Sequence, residues 1–64
     1  MTVNGKEIPL TEALSLTQFL KREGYNADTV AVERNGSIVP KRCFHEEALA
    51  ESDKIEIVAF VGGG

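Results

Sequence analysis

Two Asn-Gly pairs, Asn4-Gly5 and Asn35-Gly36, restrict the fold of this 64-residue chain more than any other feature. Asn-Gly between alternating apolar residues is the strongest short-range signal for a two-residue β-hairpin, because the turn needs positive φ at successive positions. Around the first pair, Met1 and Val3 share a face, and Ile8 with Leu10 return on the same side. This predicts short strands at about 1–4 and 6–10, with Pro9 marking an edge strand or its end because it has no N–H to give. Around the second pair, the β-branched run Thr29-Val30-Ala31-Val32-Glu33-Arg34 leads into a type I′ turn and Ser37-Ile38-Val39-Pro40 leads out. Asn35-Gly36-Ser37 also spells a glycosylation sequon, but turn chemistry accounts for it without a secretory context.

Between the hairpins lies a well-marked helix. Ser15 and Gln18 form a capping box, Leu14 and Phe19 stand at the spacing of a hydrophobic staple, and Leu16, Phe19 and Leu20 make an apolar stripe. Gly24 follows as a left-handed stop, so a helix over 15–23 lays one face on a sheet. After the second hairpin, Phe44, Ala48 and Leu49 anchor one helical turn within 43–49, with His45, Glu46 and Glu47 exposed. Ser52-Asp53 then turns the chain into a last strand over 54–61. Hairpins, one helix and a further strand in so short a chain imply an α+β domain, a mixed sheet with the helix across one face.

That last strand runs into Gly62-Gly63-Gly64. Three glycines pack nothing and carry the largest ordering cost of any residue type. The domain therefore divides into a body at 1–61 and a flexible tail at 62–64. Such a tail is either a frayed end or a chemical handle: a carboxylate without side chains around it that threads into another protein's active site. Along the strand, Ile55 and Ile57 suit the side facing the helix, which leaves Val58 and Phe60 on the open face beside the tail. An exposed apolar pair next to such a handle reads as a surface for partner docking.

Composition excludes several other readings. A net charge of −3 argues against nonspecific nucleic-acid binding. No run approaches the roughly 20 apolar residues that cross a bilayer, and the start lacks the pattern of a signal peptide. The single cysteine, Cys43, excludes an internal disulfide and a cysteine metal cluster and suits a reducing cytoplasm. Cys43 and His45 are two residues apart, yet no third group is evident to orient the imidazole as a base. Glu46-Glu47 and Glu51 to Asp53 read as a solvated acidic rim. No catalytic or metal site emerges.

Two segments, Val30 to Lys41 with its Asn-Gly-Ser-Ile-Val-Pro hairpin and Asp53 to Gly64, together resemble the ThiS family of thiamine-biosynthesis sulfur carriers. The resemblance spans nearly the whole chain. Two departures are Ser52, where many members have glycine, and Cys43, which the family motif does not require. The resemblance implies a β-grasp, ubiquitin-like fold with the last strand central. It implies that Gly64 is adenylated by a ThiF-like adenylyltransferase using ATP, becomes a thiocarboxylate, and donates sulfur to a ThiG-like thiazole synthase. Gly62 and Gly63 would provide the narrow reach, and the chain itself would bind no cofactor and act as a cosubstrate, not an enzyme. Two neighbouring roles share these features: the small subunit of molybdopterin synthase and a ubiquitin-like protein modifier.

Overall fold

The computed structural model describes residues 1–60. The first hairpin pairs β1 (Thr2–Val3) with β2 (Lys6–Glu7). The second pairs β3 (Val30–Arg34) with β4 (Ser37–Ile38). Both asparagines of the turns sit at φ 53° and both glycines are left-handed, as a type I′ turn demands. The strands of the first hairpin are shorter than 1–4 and 6–10. Ile8 still donates to the Met1 carbonyl at 2.8 Å, but Pro9 offers no N–H and the ladder stops there.

The helix, α1 (Leu16–Arg22), begins and ends where its local signals place it. The Ser15 hydroxyl accepts from the Gln18 N–H at 3.1 Å, and the Gln18 side chain accepts from the Ser15 N–H at 2.8 Å. At the other end Gly24 N–H donates to Lys21 O and Tyr25 N–H to Leu20 O, the paired bonds of a Schellman cap. The remaining free donors of the first turn are met from outside the helix. Leu16 N–H donates to Glu47 O at 2.8 Å and Thr17 N–H to Phe44 O at 3.1 Å.

These contacts also limit the turn expected within 43–49. A 3-10 turn at Lys41–Cys43 leads into it, and the Cys43 carbonyl accepts from the Glu46 and Glu47 N–H groups, both at 3.0 Å. The carbonyls of residues 44 and 47 are taken by α1, so the turn does not continue to Leu49. Phe44 and Leu49 are buried as expected, whereas Ala48 is exposed. A second 3-10 turn, Ala27–Thr29, takes the first residue from the expected strand.

The last strand, β5 (Lys54–Ala59), lies at the centre of a five-stranded mixed sheet of order β2-β1-β5-β3-β4. It runs parallel to β1 and antiparallel to β3. One face of this sheet meets α1. Val3, Val30, Val32, Ile55 and Ile57 from the strands close on Leu16, Phe19 and Leu20, with Met1, Val39, Phe44 and Leu49 completing the core. The opposite face has no element of this chain over it among the described residues.

Candidate docking face and the strand that leads to the tail

Strand register decides which residues occupy the open face. β5 and β3 pair Val32 with Ile57, Glu33 with Glu56 and Ala31 with Val58, and β4 adds Ile38 opposite Glu33. Because side chains alternate, Ile57 and Val32 point to the core, and Ala31, Glu33, Ile38, Glu56, Val58 and Phe60 point away from it. Val58 and Phe60 are each 60% exposed and Ile38 is 65% exposed, the large hydrophobic side chains left open among the described residues. The alternation read from the sequence thus holds for Val58 and Phe60. Ile38 belongs beside them, and the sequence reading missed it. A two-residue turn at Asn35-Gly36 pairs residue 34 with 37 and 33 with 38, so the signal was available from the register alone.

β5 is held in place by groups that no local pattern announces. The Asn4 side chain receives the Ile57 N–H at 2.7 Å and donates to the Ile57 carbonyl at 3.2 Å. It continues the β1 ladder with a side-chain amide after the β1 backbone has turned away. Asn35 does the same at the other end, accepting from the Lys54 N–H at 2.9 Å and donating to an Asp53 carboxylate oxygen at 3.0 Å. Each Asn-Gly turn therefore also clamps the strand that leads to the tail.

Asp53 anchors the start of β5. It is only 5% exposed, which corrects its assignment to a solvated rim. Its carboxylate accepts from the Ala50 N–H at 2.8 Å, from Asn35, and from the Arg34 guanidinium at 2.7 Å. Burial pushes its pKa up, but these donors outweigh burial and hold it below the usual carboxylate range. Arg34 is correspondingly raised, chiefly by its bond to Asp53, and it also pairs with half-buried Glu47 at 3.2 Å. Glu51 is likewise engaged, accepting from the Met1 ammonium and the Leu10 N–H, both at 2.8 Å.

Cys43 and His45 are not assembled into a reactive pair. Cys43 is half-buried against the core, while the His45 side chain is 71% exposed and lies 3.6 Å from Glu46. Among the described residues, no cluster of His, Cys, Asp and Glu could hold a metal ion, and no helix is long and apolar enough to cross a membrane. Gly62, Gly63 and Gly64, assigned to tail threading and reaction, lie outside the described residues, as does Val61.

The ThiS family model matches residues 1–64. The chain belongs to the ThiS family. It is 39% identical to the sulfur carrier protein ThiS of Bacillus subtilis, covering all of this chain and 98% of that one. The crystal structure of the thiamine biosynthesis protein ThiS from Geobacter metallireducens superposes with a TM-score of 0.82 at 33% identity, covering 98% of this chain and 96% of that one. A third relative is longer. The chain is 41% identical to part of a thiazole synthase from Paramagnetospirillum magneticum, matching along its whole length but spanning only 20% of that protein. ThiS membership makes the chain a sulfur carrier of thiamine biosynthesis and not a catalyst, on the β-grasp fold that the residues resemble.

Proposed function

We propose that this ThiS-family chain carries sulfur as a thiocarboxylate on Gly64. The observation that carries the reading is the family match over the whole chain, glycine tail included. A terminal carboxylate, with a pKa of about 3.3–3.7, is ionised at neutral pH and is a poor acyl electrophile. A ThiF-like adenylyltransferase removes that obstacle. The Gly64 carboxylate attacks the α-phosphorus of ATP, pyrophosphate leaves, and the acyl adenylate carries AMP as its leaving group. The terminal sulfur of a donor persulfide then attacks the acyl carbon and AMP departs. A thiol cleaves the resulting sulfur–sulfur bond, leaving the thiocarboxylate on Gly64 and a disulfide on the donor side. The chain binds no cofactor itself, and ATP is consumed by the partner.

The acceptor partner is a ThiG-like thiazole synthase. Support comes from the thiazole synthase of P. magneticum, in which a segment like this chain is part of the same polypeptide. Gly62 and Gly63 supply a strip without side chains that fits a narrow channel, while Val58 and Phe60 give the two partners a surface to grip. The chemistry belongs in the cytoplasm, where ATP and thiols are both available.

A reconstituted reaction tests this. The chain, a ThiF-like enzyme, ATP, a persulfide donor with a thiol, and a ThiG-like synthase with its small-molecule substrates should form thiazole phosphate. Removing Gly64 should abolish it. Undiminished product without Gly64 would refute the proposal. Transfer to a pterin precursor by molybdopterin synthase, or linkage to lysines, would replace it with one of the neighbouring roles.

A further inference from the structure

The open sheet face places two like charges side by side. Glu33 and Glu56 stand directly opposite each other on β3 and β5. The ladder fixes their spacing. Asn35 N–H donates to Lys54 O, and Phe60 N–H donates to Thr29 O, so hydrogen-bonded pairs recur every second residue between them. Glu33 and Glu56 therefore form a hydrogen-bonded pair, with Cα atoms about 5.5 Å apart. Like charges placed directly opposite on a sheet are destabilising.

Among the described residues no cation lies within ion-pair distance of either acid. Among these residues neither carboxylate takes part in a side-chain hydrogen bond, and Lys54, on the same face of β5, makes no ion pair either. Arg34 is drawn to the other side by Asp53 and Glu47. On the same face, by the register given above, stand Ile38, Val58 and Phe60, the exposed large hydrophobics among the described residues.

We infer that the open face receives a protein partner through an arginine seated over the Glu33–Glu56 pair, with apolar partner side chains packed on Ile38, Val58 and Phe60. The inference rests on the reading of this face as the docking surface and adds the chemistry of what docks. Arginine suits the position because its planar guanidinium has five donors, enough for two carboxylates, and is weakly hydrated compared with an ammonium. An apolar rim excludes water from that contact and strengthens it. The same two acids disfavour a nucleic-acid backbone or an anionic lipid surface, both of which call for basic patches. The repulsion carried by the free chain is then the cost of a contact formed only in the complex, as expected where a local rule is broken at a functional site.

The test measures stability and binding on the same proteins. The probes are a purified ThiF-like enzyme and, separately, a ThiG-like synthase. Changing both acids, Glu33→Gln with Glu56→Gln, should leave the melting temperature unchanged or raise it. The same variant should weaken binding to at least one probe about tenfold or more and flatten the dependence of association rate on salt. Phe60→Ala serves as the separate control. If Phe60→Ala weakens binding while the double glutamine variant binds with unchanged affinity and salt dependence, the face is used but the arginine inference is overturned. If neither variant alters binding, the docking reading itself fails. A double variant that melts well below the wild type would show the acids to be structural, which also overturns the inference.

Discussion

Replacing Phe60 by alanine should separate binding from folding. Phe60 is 60% exposed, so about two-fifths of its surface is covered within the chain. Full burial of a phenylalanine side chain is worth about 1.5–3 kcal/mol, and two-fifths of that is about 0.6–1.2 kcal/mol. At about 4–8 °C per kcal/mol for a domain of this size, the melting temperature should fall by roughly 2–10 °C. At a partner interface the same ring is an aromatic anchor. Its truncation there should cost about 2 kcal/mol, roughly thirtyfold in Kd. Phe19 is the contrast, since it is fully buried on the inner face of α1. Phe19→Ala should cost about 3–5 kcal/mol, comparable to the whole stability that so small a core supplies. Thermal melts by circular dichroism and titration calorimetry against a ThiF-like enzyme, run on the same preparations, measure both quantities. A fall beyond about 15 °C for Phe60→Ala would put the ring in the core and refute the exposure argument. Unchanged affinity would remove it from the docking face.

Three further outcomes follow from the geometry. The Asp53 carboxyl is held below its ordinary range when folded, so it contributes stability above the unfolded pKa of about 3.9 that is lost as pH falls through the lower folded value. Wild-type melting temperature should therefore drop steeply in acid and that of Asp53→Asn much less, and parallel pH profiles would contradict this. Asn4→Gly keeps a residue that accepts positive φ but deletes both bonds to Ile57, costing about 1–3 kcal/mol. The Ile57 amide should then exchange hydrogen faster, and unaltered protection would show the clamp to be dispensable. Cys43→Ser should still load and deliver sulfur, since Cys43 has no activating partner among the described residues; loss of transfer in a folded variant would give this thiol a covalent role.

What was legible in the sequence was what nearby residues decide. The capping box at Ser15 and Gln18, the Gly24 stop and the two Asn-Gly turns are each complete within a few residues, and each formed where expected. Alternation along 54–61 was enough to put Ile57 inward and Val58 outward. The misses share a different cause. Asn4 meets Ile57 across 53 positions and Asn35 meets Asp53 across 18, so their side-chain roles exist only once β5 lies between β1 and β3. The burial of Asp53 depends on the same assembly, because without Arg34 and Asn35 beside it an aspartate at a turn reads as solvated. Where the turn after β4 stops depends on α1, whose first donors take the carbonyls of Phe44 and Glu47. The central position of β5 came from the resemblance to ThiS, not from periodicity, which cannot order strands in a sheet.

The central claim is that sulfur rides on the terminal acyl group, and intact-protein mass spectrometry with fragmentation tests it most directly. The chain is incubated with a ThiF-like enzyme, ATP, a persulfide donor and a thiol, and the site of added mass is located. The account predicts one oxygen replaced by sulfur on Gly64, dependent on ATP, and absent when an extra residue blocks the terminal carboxylate. Sulfur found on Cys43, or a Gly64 carboxylate unaltered while the chain still supports thiazole formation, would contradict it.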